Sequence, residues 1–113
     1  MEFYTTRPIE EISKLGFQTI KSKKEIIVSP HAYDHLSQGQ RKVFKEEDLK
    51  HMVDKETPRK VYLQANGRYA AFFRKEDGFR KLILEVEEKI ITIVSFWDML
   101  EIPKYVLSNE KQQ

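Results

Sequence analysis

His31 and His35 stand four residues apart, with Asp34 between them and Gln38 following. On a helix that spacing projects both imidazoles from one face, a turn apart, with Asp34 and Gln38 on the same side. Imidazole titrates near neutral pH, so such a pair can exchange protons with a substrate or donate to a phosphate oxygen. It can also ligate zinc. The intervening Ala32-Tyr33-Asp34 lacks the glutamate of the metalloprotease motif, and only His51, on another expected helix, offers a third imidazole, so no metal or other cofactor is expected. The plainest reading is two solvated polar residues on an amphipathic helix. A further chemical group is Ser95, near the end of the apolar run Ile90 to Trp97. It is either a core hydroxyl bonded to backbone or a group at the mouth of a cleft.

The elements that would carry these residues follow from local patterns. Ile9, Ile12 and Leu15 fall at helical spacing after Pro8, and Gly16 reads as a stop, which predicts a short helix from Pro8 to Leu15. Glu25 to Val28 is a short β-prone run. Ser29-Pro30 is a cap followed by a first-turn proline, which predicts a helix from Pro30 to about Gln38, ending near Gly39. A second helix, about Lys45 to Lys55, has Glu46, Glu47 and Asp48 at its start and an apolar stripe of Leu49, Met52 and Val53. Thr57-Pro58 ends it.

Beyond Lys60 the period changes from helical to alternating. Val61 to Gln64 and Arg68 to Arg74 flank Asn66-Gly67, a strong hairpin signal. Turns at Lys75 to Gly78 and at Glu88-Lys89 lead into Phe79 to Glu87 and Ile90 to Trp97, giving an antiparallel meander. Alternation places Tyr69, Ala71 and Phe73 on one face of their strand, and Arg68, Ala70, Phe72 and Arg74 on the other. Arg80 joins Leu82 and Leu84, while Lys81 joins Ile83 and Glu85. Ser95 falls with Ile91, Ile93 and Trp97. The last strand is apolar on both faces and is expected to be central.

Composition sets the frame. The chain has 113 residues, enough for one domain but not two ordinary ones, with residues 1–24 as a lead-in, 25–98 as a core and 99–113 as a tail. Cysteine is absent, which excludes disulfides and thiolate chemistry. No run is long and apolar enough to span a bilayer and no signal peptide is recognisable, so a cytoplasmic protein without membrane contact is expected. The net charge of +2 permits phosphate contact without arguing for it.

The run Ile27-Val28-Ser29-Pro30-His31-Ala32-Tyr33-Asp34-His35-Leu36, then Glu47-Asp48-Leu49, Pro58 and the meander ending Ile93-Val94-Ser95-Phe96-Trp97, resembles a group of small nucleases. These are the phage- and toxin-associated members of the barnase, EndoU, colicin and RelE superfamily. The resemblance implies an α+β fold with two or three N-terminal helices packed on a four-stranded antiparallel meander. It implies metal-independent RNA cleavage by 2′-hydroxyl attack, with His31, His35 and Ser95 as catalytic residues. Arg68, Arg74 and Arg80 would bind phosphate, and Tyr69 and Trp97 would stack on bases, although either aromatic suits the core equally. RNA would be the partner, with a small antitoxin or immunity protein as a further one. The modest charge departs from the strongly basic RelE pattern, and a non-catalytic RNA- or protein-binding module is the alternative.

Overall fold

A computed structural model describes residues 6–107. The strands are β1 (Pro8–Glu11), β2 (Glu25–Val28), β3 (Lys60–Gln64), β4 (Tyr69–Lys75), β5 (Gly78–Val86) and β6 (Ile90–Met99). The helices are α1 (Lys14–Lys21), α2 (Gln38–Val43) and α3 (Glu46–Lys55), with a 3-10 turn at Pro30–Tyr33. All the strands join one mixed sheet in the order β1-β3-β4-β5-β6-β2. The meander is present, but β1 adds antiparallel to β3 and β2 adds parallel to β6.

The expected four-stranded antiparallel sheet behind N-terminal helices is therefore corrected to a six-stranded mixed sheet. Two short segments of the N-terminal third supply its edges. Residues 8–11, expected as helix, are strand β1: Ile12 N–H donates to the Val61 carbonyl at 2.8 Å, and tertiary pairing overrides a three-residue helical spacing. The helix starts later, where Ser13 Oγ accepts from Gly16 N–H at 2.9 Å, so Gly16 lies in the first turn rather than at a stop. The lead-in is part of the core. Phe17 is fully buried, a contribution of about 2–3 kcal/mol. Lys21 Nζ donates to the Val53 and Asp54 carbonyls at the end of α3, both at 2.8 Å, where cations are favoured.

The expected helix Pro30–Gln38 is also corrected. Ser29 caps as read, but only the 3-10 turn forms, and a new helix opens at Gln38. Ser37 and Gln40 form a reciprocal capping box there, which fixes the chain break between the two segments. Gly39 consequently lies inside α2. α3 matches its reading, with Leu49, Met52 and Val53 buried.

The two faces of the sheet differ. On the helix side Phe17, Leu49, Val53, Val61, Phe73, Leu82, Leu84, Ile91, Ile93 and Phe96 form the main core. On the other side a smaller cluster joins Tyr62, Phe72 and Ile83 to Leu107, with Tyr105 against it; the Tyr105 ring stands edge-on to Tyr62 at 5.0 Å. The tail after β6 thus covers this face over β3 and β4 and reaches Ile83, while on the β5–β6 half Lys81 and Ser95 are half-buried and Trp97 is exposed. Among the described residues no helix is long and apolar enough to cross a membrane.

Gly78 opens β5 at φ +148°, and a side-chain carbon there would collide with the Met99 carbonyl oxygen. Gly67, at φ +87° in the hairpin turn, faces open space. Gly78→Ala is therefore expected to cost about 1–3 kcal/mol in strain and clash, and Gly67→Ala only about 1 kcal/mol. Urea unfolding midpoints of the two variants give the comparison, and the reverse order would contradict this account of the β4–β5 turn.

Candidate functional site

β6 positions the chemistry through one irregularity. It pairs with β5 in register from Phe79↔Met99 to Ile83↔Ser95, then resumes at Leu84↔Ile93 after a bulge. The extra residue changes which side chains share a face. Ile91 and Ile93 point into the main core, while Ser95, opposite Ile83, points to the open face. The expectation that Ser95 shares a face with Ile91 and Ile93 fails at this bulge, although its grouping with Trp97 holds.

The open half of the face holds a hollow of about 310 Å³ lined by Gln64, Asn66, Arg68, Lys81, Ser95 and Trp97, with Thr6 and Ile83. None of these residues is acidic, in a chain with 18 acidic and 20 basic residues. Asn66 Oδ1 accepts from Arg68 N–H at 2.9 Å, which shapes the rim. Arg68 reaches Glu85 at 3.2 Å. Lys81 has no carboxylate partner among the described residues; its ammonium stands 5.6 Å from the centre of the Phe72 ring and 5.9 Å from that of Trp97. Burial holds the Lys81 pKa below the usual lysine value. Gln64 is 3% exposed, and its Oε1 has no hydrogen-bond partner among the described residues.

Trp97, 43% exposed, also borders a second hollow of about 220 Å³, with His35, Gln40, Phe44, Phe96 and Asp98. The His35 ring lies 5.2 Å from Phe96 and 5.6 Å from Trp97. Arg80 stacks over Phe44 at 4.9 Å and grips Asp98 through two hydrogen bonds of 2.6 and 3.1 Å. Burial raises the Asp98 pKa, but the hydrogen bonds and charge of Arg80, helped by Lys75, outweigh it and hold the carboxyl below its usual range. A larger hollow of about 400 Å³ lies apart, between β2 and α3, where Lys24 and Lys50 mix with Glu47 and Asp54 beside His51.

The residues singled out in the sequence are only partly gathered. His31 sits on the 3-10 turn with its side chain 84% exposed, and its Nδ1 meets Asp34 at 3.1 Å. His35 follows in the next bend, so the two imidazoles do not share a helical face. His35 and Ser95 line different hollows, which meet at Trp97. Of the arginines, Arg68 lines the Ser95 hollow, Arg80 is held on the helix side by Asp98, and Arg74 stands over Phe79 at 5.3 Å. Tyr69 packs against the main core. Gln64 and Lys81 were not singled out from sequence. The available signal was alternation, which puts Lys81 beside Ile83 and leaves Gln64 as the lone amide ending an apolar strand. Among the described residues no group of three His, Asp or Glu side chains could hold a metal. No protein-family model matches the chain, and no curated protein or solved structure matches it either.

For Lys81 the folded state binds its proton less tightly than the unfolded chain, so the charge opposes folding at neutral pH. That penalty fades as pH rises through the lowered folded value toward 10.5, the ordinary lysine value. Lys81→Met is expected to raise the melting temperature at pH 7, with the advantage shrinking as the pH is raised toward 10.5. A gain that does not change with pH would rule out desolvation of the ammonium as its source.

Proposed function

We propose that this chain is an RNA-binding module that seats single-stranded RNA across the β5–β6 half of its open sheet face. The observation that carries the reading is a hollow that no described acidic residue lines, in which a half-buried Lys81, without a carboxylate partner among the described residues, lies near the ring of the exposed Trp97. An aromatic platform beside cations is how single strands are held: bases stack, and phosphates meet the positive charge. Asn66 and Ser95 add groups able to bond sugars or base edges. The resemblance to small nucleases agrees with an RNA ligand and with a cytoplasmic setting.

Cleavage is the second reading, favoured by the contact of the His35 ring with Trp97 at the boundary of the two hollows. In it His35 is the proton-transfer group for a 2′-hydroxyl bound beside Trp97, and an antitoxin or immunity partner is expected. His31, outside both hollows and paired with Asp34, takes no part in it. Ser95 serves as a hydrogen-bonding group, because among the described residues nothing acidic or imidazole-bearing lines its hollow to take its proton.

Fluorescence anisotropy with a labelled RNA of about 12 nucleotides tests the first reading. Wild type should bind with an affinity that falls as salt rises. Trp97→Ala is expected to weaken binding by about 1–3 kcal/mol, and Lys81→Ala to flatten the salt dependence. Binding by both variants equal to wild type would remove the hollow from the account. The same RNA incubated in chelator separates the second reading: a cyclic- or 3′-phosphate product that disappears in His35→Ala would establish cleavage, and intact RNA would leave binding alone.

A further inference from the structure

Trp97 walls two hollows, and the RNA-binding reading fills only one of them. The second is bounded by the rings of His35, Phe44, Phe96 and Trp97, with Gln40 and Asp98 as its polar groups. Phe96 and Trp97 are successive residues of β6 and point to opposite faces of the sheet. The His35 ring nevertheless contacts both, so this hollow lies at the outer edge of the strand. Among the described residues no strand pairs with that edge beyond Ile93.

The two hollows differ in charge. Arg68 and Lys81 line the first, without a described carboxylate. Among the described residues no lysine or arginine lines the second. Arg80 lies beside it but is engaged: its side chain is 14% exposed, stacked on Phe44 and bound twice to Asp98. An aromatic hollow with a carboxylate and no free cation disfavours a phosphate and suits a neutral planar ring.

Resting on that RNA-binding reading, we infer that the second hollow takes the base of the next nucleotide, so that the strand bends round the outer edge of β6 with one base on each side of Trp97. The phosphate between them stays on the Lys81 side. Continuity names the occupant, since a strand seated in the first hollow reaches the second by passing one ring. The volume of about 220 Å³ is below that of whole-ligand sites and suits a base with its ribose outside. Gln40 Oε1 accepts from Ser37 N–H, which leaves its amide nitrogen as the donating end, while Asp98 accepts. A base edge of either polarity is met, and no base is selected.

The test uses dinucleotides of equal charge: UpU and the two analogues in which one base or the other is replaced by hydrogen. Each competes with labelled U12 for wild type and for Phe44→Leu, read by anisotropy. On wild type UpU should displace the probe at about tenfold lower concentration than either analogue, the gain from one more stacked base. Phe44→Leu stays apolar but lacks the ring, and most of that gain should vanish in it. Equal displacement by all three on wild type, or an undiminished gain in Phe44→Leu, overturns the second subsite and leaves RNA binding standing. A wild type that does not bind U12 overturns both. The His35 ring protons give a check that needs no variant: saturating UpU should shift their NMR signals on wild type, and unmoved signals again overturn the subsite.

Discussion

The geometry around the candidate site depends on β6 being central for half its length and an edge for the other half. From Ile90 to Ile93 it pairs with β2 on one side and β5 on the other. Ser29 N–H then takes the Ile93 carbonyl at 2.9 Å, and the neighbouring chain turns away into the 3-10 segment. Beyond that point only β5 continues the ladder, as far as Met99. The bulge falls at this same transition, where a strand that is no longer clamped on both sides can take up an extra residue. A single step in pairing therefore releases the strand edge, re-aims Ser95 and leaves Trp97 where it borders both sides of the sheet.

The division of labour between the faces follows from how each is covered. The helix side is sealed by α1, α3 and the 3-10 turn, and its core contains no unpaired polar side chain among the described residues. The other side is covered only where the tail lays Tyr105 and Leu107 on Tyr62 and Phe72. Lys81 on β5 and Ser95 on β6 lie outside that cluster and are only half-buried. An ammonium and a hydroxyl on a sheet face would be expensive under a full apolar cap, and both keep some exposure here.

The meander was legible because its signals are strictly local: Asn66-Gly67 needs a positive φ, and two-residue alternation assigns Ala71 and Phe73 against Ala70 and Phe72 without tertiary knowledge. The edges were legible only in part: Glu25 to Val28 reads as β-prone and forms β2, whereas residues 8–11 read as helix and form β1. Both are four residues long and pair with partners some 50 to 65 positions away, and no local pattern records that pairing. Likewise Ser29-Pro30 announces a helical start without saying that Ser37 and Gln40 will open another one. With that helix broken, the i, i+4 argument for His31 and His35 lost its premise. The bulge did the same for Ser95, since one extra residue reverses every later face assignment on a strand.

The condition of Lys81 decides between a hollow that does chemistry and one that holds a ligand. A lysine with a depressed pKa beside a serine can act as a general base, and burial does depress this one. Its surroundings oppose the neutral form, however: the ammonium lies near the rings of Phe72 and Trp97, whose quadrupoles attract the cation and not the free amine. Burial and the aromatic rings thus pull in opposite directions, and the absence of a neighbouring carboxylate among the described residues leaves the charge free to attract an anion. A phosphate or a base oxygen arriving there restores the solvation that folding removed without competing against an internal partner. That arrangement suits binding, and the exposed Trp97 lines the same hollow as Gln64, whose Oε1 is the one partnerless buried side-chain atom among the described residues.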